Sequence, residues 1–215
     1  MANIKEIVAQ IKMDYPNPDC ELVFKNSYEL IVAVILSAQC TDKRVNLVTK
    51  ELFKAYPTVQ DLANADILAV EEIIKPCGFF RNKAKNIIAM ARDVVLKHNG
   101  EIPSKKDDLK SLAGVGEKTA NVVLATAFGV PAIAVDTHVF RVSNRLGLAN
   151  ARTVEKTQEQ LEKNLNKSDW ARMHFSLVLH GRYVCKAINP KCEDCHLSKN
   201  CKFYLQNHKN DAKNA

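Results

Sequence analysis

Apolar residues in this chain recur at helical spacing, and almost no segment alternates apolar and polar at the two-residue period of a strand. Helix-start signals accompany them. Asn3 stands ahead of Ile4, Ile7, Val8 and Ile11, with Glu6 three residues on. Asn26 and Glu29 frame a second start before the apolar run Leu30 to Leu36. That run is rich in Val and Ile, so periodicity alone leaves a buried strand open, while the cap and the helical neighbours favour a buried helix. Asp42 is a cap for a helix whose face is Val45, Val48 and Leu52. Thr58 and Asp61 open another, with Leu62 and Leu68 on its apolar side. Asn82 is a cap for a long helix from Lys83 to Lys97, stopped by Gly100. Thr153 and Asp169 start two later helices, the second carrying Trp170, Met173 and Leu177 and ending at Gly181. The pattern predicts an all-α fold. Tyr15-Pro16-Asn17-Pro18 breaks the first helix at a candidate subdomain boundary, and the polar stretch Asn207 to Ala215 reads as a loose tail.

One turn carries more chemistry than the others. Gly114-Val115-Gly116 lets the backbone turn tightly, and Glu117 to Phe128 follows with helix-forming character. A turn opening onto a helix points free N–H groups outward, where they can bind a phosphate. Lys118, two residues into that helix, is a candidate nucleophilic amine, and Asp136 follows beyond Pro131. The bland alternatives are an exposed helix lysine and a carboxylate that only caps the next helix.

Four of the seven cysteines cluster as C-x6-C-x2-C-x5-C: Cys185, Cys192, Cys195 and Cys201. Four converging thiolates repel one another without a cation. In a reducing compartment the cluster therefore reads as a metal site rather than a disulfide framework. A four-cysteine zinc site usually shows two C-x-x-C knuckles, and only one is present. An iron–sulfur cube tolerates looser spacing, which leaves zinc as the second choice. Cys20, Cys40 and Cys77 read as buried free thiols.

The net charge of +7 favours a polyanionic partner, nucleic acid before an acidic membrane. The start of the chain mixes charges and lacks the apolar core of a signal peptide, and Leu30 to Leu36 is too short to span a bilayer. A soluble, cytoplasmic protein is expected, with no membrane partner.

Leu112-Ala113-Gly114-Val115-Gly116-Glu117-Lys118-Thr119-Ala120 resembles the helix-hairpin-helix of the endonuclease III family of DNA glycosylases, and Val135-Asp136-Thr137-His138-Val139-Phe140-Arg141 resembles that family's catalytic-aspartate segment. The likeness runs from about Ile4 to Tyr204. It implies two helical lobes with a DNA-binding groove between them. Residues 20–130 would be a six-helix barrel containing the hairpin, and residues 1–19 with 131–215 a discontinuous lobe carrying a [4Fe–4S] cluster on the four cysteines. It also implies a bifunctional glycosylase and AP lyase of base excision repair. Such an enzyme removes oxidised or ring-damaged pyrimidines from double-stranded DNA through a Lys118 Schiff base, with Asp136 assisting, and works as a nucleoid-associated monomer. Gln39, in Ser37-Ala38-Gln39, matches the residue that fills the gap left by the flipped nucleotide. Phe79 stands where the family commonly has a leucine wedge, a departure that leaves Phe80 as a rival for the role. Gly114, Val115 and Gly116 would grip phosphate, and Lys191 would contact another phosphate beside the cluster. Related adenine-mismatch glycosylases generally lack the lysine and carry a further domain, so Lys118 favours the bifunctional reading.

Two other classes stay open from the residues alone. A non-catalytic hairpin DNA-binding module needs neither Lys118 nor Asp136. An electron-transfer iron–sulfur protein needs no hairpin.

Overall fold

Asn3 accepts the N–H of Glu6 through its side chain and so starts α1 (Ile4–Asp14), whose Ile7 and Ile11 are fully buried. The computed structural model describes residues 3–211, with side chains as far as residue 207. Asn26 likewise caps α2 (Ser27–Ser37) through the Glu29 N–H. Every residue of α2 from Tyr28 to Leu36 is buried, as a helix apolar on all sides requires. The open choice between strand and helix for Leu30 to Leu36 resolves as helix.

The chain continues through α3 (Asp42–Ala55), α4 (Val59–Ala63), α5 (Ile67–Ile74), α6 (Phe80–Lys97), α7 (Lys106–Ser111) and α8 (Glu117–Phe128). It ends with α9 (Thr137–Leu146), α10 (Val154–Asn164), α11 (Trp170–Tyr183) and α12 (Lys202–Asp211). No strand occurs among the described residues, and no helix among them is long and apolar enough to cross a membrane.

The contacts divide the chain into two compact units. One is Cys20–Val130, in which α2 packs against α3, α6 and α8, while α4 and α5 lie on α6. The other joins the segment up to Asp19 with the segment from Pro131 onward. Its core gathers Ile7 and Ile11 with Val139, Val142, Leu146, Leu161, Met173 and Leu177.

Several local expectations need correcting. Thr41, not Asp42, caps α3, because its hydroxyl is the oxygen that reaches the Arg44 N–H. Leu68 is exposed on α5, outside the helix that Thr58 and Asp61 open. Helix α6 starts three residues before Lys83, capped by Phe79 in the left-handed region and not by Asn82. Asp169 precedes α11 without a side-chain cap bond. Gly181 lies inside α11 rather than at its end. A Cβ there would stand 2.8 Å from the His138 Cβ, so the missing side chain lets α9 and α11 approach closely. Asn207 to Asp211 belongs to α12, and the rest of the expected tail lies outside the described residues. Cys77 is buried, whereas Cys20 and Cys40 are only half-buried.

Candidate functional site

The hairpin joins α7 to α8 within the 20–130 unit. Leu112 and Val115 are buried and anchor it, and the Val115 N–H bonds the Leu112 carbonyl at 3.2 Å. Gly114 turns with φ +77°, and a Cβ there would meet the Asn86 side chain at 3.0 Å. Gly116 enters α8 with no side-chain cap, so the first N–H groups of that helix are left for another partner. Lys118 is exposed and forms no ion pair or hydrogen bond among the described residues. Glu117, its neighbour, pairs with Lys106 and, at 3.0 Å, with Lys110. The bond from Lys106, ahead of that from Lys110, holds the Glu117 carboxyl below its usual range.

Gln39 and Phe79 come together in the same unit. Both are exposed non-glycine residues in the left-handed region, at φ 52° and φ 56°. A Cβ on Gly78 would lie 3.5 Å from the Gln39 carbonyl oxygen, so the two loops touch. Phe79 is 65 % exposed, while Phe80 is half-buried with Arg81 over its ring. Lys83, 5 % exposed, donates from its ammonium to the carbonyls of Leu36 and Ala38 at 2.9 and 2.7 Å. No short-range sequence signal marks that lysine, because its partners lie more than forty residues earlier.

Asp136 belongs to the other unit. It is half-buried and caps α9, its Oδ1 accepting the N–H groups of His138 and Val139 at 2.8 Å each. Neither bond uses Oδ2. The capping reading of Asp136 is therefore correct, and it leaves one oxygen for chemistry.

Farther along α9, two arginines hold the segment that carries the first clustered cysteine. Arg141 donates to the carbonyls of Gly181 (2.8 Å) and Cys185 (3.1 Å). Arg145 donates to those of Lys186 (2.7 Å) and Ala187 (3.1 Å) and lies over the Phe203 ring. Cys185, Cys192, Cys195 and Cys201 all line one cavity, together with Leu146, Val184 and other residues. Burial raises the Cys195 thiol to about 11 and pushes those of Cys192 and Cys201 upward too. His180 lies 3.7 Å from the Cys195 sulfur, with Tyr15 3.0 Å from its other ring nitrogen. No three potential ligands among the described residues are grouped so as to hold a single metal ion. Lys191 is exposed on the same loop, and its N–H bonds the Val184 carbonyl at 3.0 Å.

The comparisons with known proteins agree with one another. The pattern of the HhH-GPD superfamily base excision DNA repair protein matches residues 32–167. Endonuclease III of Bacillus subtilis (strain 168) is 46 % identical over 206 residues, 94 % of each chain. Endonuclease III of Escherichia coli (strain K12) is 42 % identical over 198 residues, 92 % of this chain and 94 % of that one. Among solved structures, a non-covalent endonuclease III–DNA complex superposes with TM-score 0.91 at 43 % identity, covering 97 % of this chain and all of the other. A trapped endonuclease III–DNA covalent intermediate gives the same values.

Proposed function

The chain belongs to the HhH-GPD superfamily of base excision DNA repair proteins, and from that membership we propose that it is a bifunctional DNA glycosylase and abasic-site lyase acting on oxidised or ring-damaged pyrimidines in duplex DNA. The observation that carries this reading is Lys118. It is an exposed amine with no side-chain partner among the described residues, the second residue of a helix whose first N–H groups have no side-chain cap.

A damaged base within a duplex is out of reach, so the nucleotide must turn out of the stack. The amides of Gly114 and Gly116, with the buried Val115 holding the turn, grip a backbone phosphate. Lys191 supplies a second phosphate contact. Phe79 wedges into the duplex and Gln39 fills the gap that the nucleotide leaves. The exposure of Phe79 supports it over Phe80 for the wedge.

The neutral amine of Lys118 then attacks C1′ of the sugar. A C1′–N bond to the enzyme forms, and the bond to the base breaks with its electron pair leaving on the base. Loss of a proton from the amine and opening of the sugar ring give the Schiff base. That imine acidifies the C2′ proton, and its removal expels the 3′ phosphate oxygen, cutting the strand on the 3′ side. The free oxygen of Asp136 takes a proton from the amine or stabilises positive charge on the sugar.

The four cysteines fit a [4Fe–4S] cluster. All four line one cavity, and a cube offers each of them an iron corner. Such a cluster supplies a rigid cross-link, fixing the loop of Lys186 and Lys191. Cysteines would hold such a cluster as thiolates, so loading it would release protons. A protein with this activity would work at the nucleoid.

The test is a duplex carrying one thymine glycol. Base release with strand scission 3′ of the lesion is expected. Release without scission would make the enzyme monofunctional. Neither activity, on this lesion or on an abasic site, would leave the DNA-binding module as the reading.

A further inference from the structure

We infer that Lys83 is a positioning residue that sets the Gln39 and Phe79 loops in register for entry into DNA; the inference rests on the gap-filling and wedge roles proposed above. Three bonds tie the two loops to this one residue. Its backbone N–H donates to the Phe79 carbonyl at 3.1 Å. Its ammonium donates to the Ala38 carbonyl, directly before Gln39, and to the Leu36 carbonyl in the last turn of α2. One lysine thus bonds the Phe79 carbonyl and the peptide group that enters Gln39, and both of those residues stand in the left-handed region.

A cation at 5 % exposure is an expensive way to fill space, since an apolar side chain of equal volume packs without desolvating a charge. Burial lowers the affinity of this ammonium for its proton, and the groups that oppose the effect are the thiols of Cys77 and Cys40, not a carboxylate. What the ammonium does offer is donors at the end of a helix, where the Leu36 and Ala38 carbonyls accept them. Non-glycine residues in the left-handed region are strained and persist only where their surroundings fix them. Two such residues side by side, both exposed, are held in place by this bond set. Phe79, Lys83 and Asn86 also follow at i, i+4 and i+7, and Asn86 is the side chain against Gly114 of the hairpin. One stripe of α6 therefore meets the wedge, the gap filler and the phosphate turn.

The test compares single-turnover strand cleavage on a duplex abasic site with that on a single-stranded one, which has no partner strand and needs no gap filled. Lys83→Met is expected to lower the duplex-to-single-strand rate ratio about tenfold. Lys83→Arg keeps the buried charge but spreads its donors over a plane, and should lower the ratio to about a third. A merely structural loss would slow both substrates alike. Gln39→Ala and Phe79→Ala lower the same ratio, and adding Lys83→Met to the Gln39→Ala, Phe79→Ala double variant should change it little further. If Gln39→Ala and Phe79→Ala leave the ratio unchanged, the roles given to those residues are wrong. If they lower it while every folded Lys83 variant keeps the wild-type ratio, the inference about Lys83 is overturned.

Discussion

Asp136 receives the N–H of Val139 on Oδ1 at 2.8 Å, so the carboxylate that starts α9 is also the one proposed to act at the sugar. The two duties separate by substitution. Asparagine caps a helix about as well as aspartate, so Asp136→Asn should unfold within about 0.5 kcal/mol of wild type. Its excision rate should fall by a factor of at least ~100, because the amide neither takes a proton nor carries charge. Asp136→Ala should lose both, with a stability cost of about 1 kcal/mol. Urea denaturation beside single-turnover excision reads the two effects independently.

Arg145 bridges α9 to the Lys186 and Ala187 carbonyls, just after Cys185, and covers Phe203, shortly after Cys201. Arg145→Ala removes those bonds and the ring contact together. Its iron and acid-labile sulfide content should be lost faster than wild type under an iron chelator, by about an order of magnitude. Lys118 and the hairpin belong to the other unit. Equal retention of iron in the two proteins would show that the loop does not depend on Arg145.

Glu117 is held ionised by Lys106 and Lys110. Its carboxyl in the fold lies below 4.5, its ordinary value, so the pairing stabilises fully above about that pH and is lost as pH falls through the depressed value. Thermal midpoints of wild type and Glu117→Gln should therefore differ slightly at pH 7 and converge as the carboxyl is protonated in acid, below its ordinary 4.5. The substitution also frees two lysines near the phosphate turn. Duplex binding should tighten at low salt and depend more steeply on salt concentration. A midpoint difference that grows on acidification would contradict the assignment.

Much of this was legible locally. Asn3, Asn26, Thr58 and Thr153 cap helices as their spacing predicts, because a cap is decided within four residues. The hairpin was legible for the same reason, and Glu117 to Phe128 is α8 to the residue. Phe79 was harder. Asn82 has the better capping side chain, but the left-handed turn of Phe79 starts α6 three residues earlier, fixed by neighbours distant in sequence. Gly181 reads as a helix stop until His138 is found against it. The gathering of four cysteines follows from their spacing, whereas the arginines that brace them and the buried Lys83 depend on partners that no local pattern reveals.

In the proposed reaction the Lys118 amine forms a covalent bond with the sugar. Borohydride added during reaction with a thymine glycol duplex reduces a Schiff base to a stable adduct, so wild type should shift to a protein–DNA band and Lys118→Gln should not. An equal adduct from Lys118→Gln, or base release by wild type with no adduct at all, would rule out Lys118 as the nucleophile.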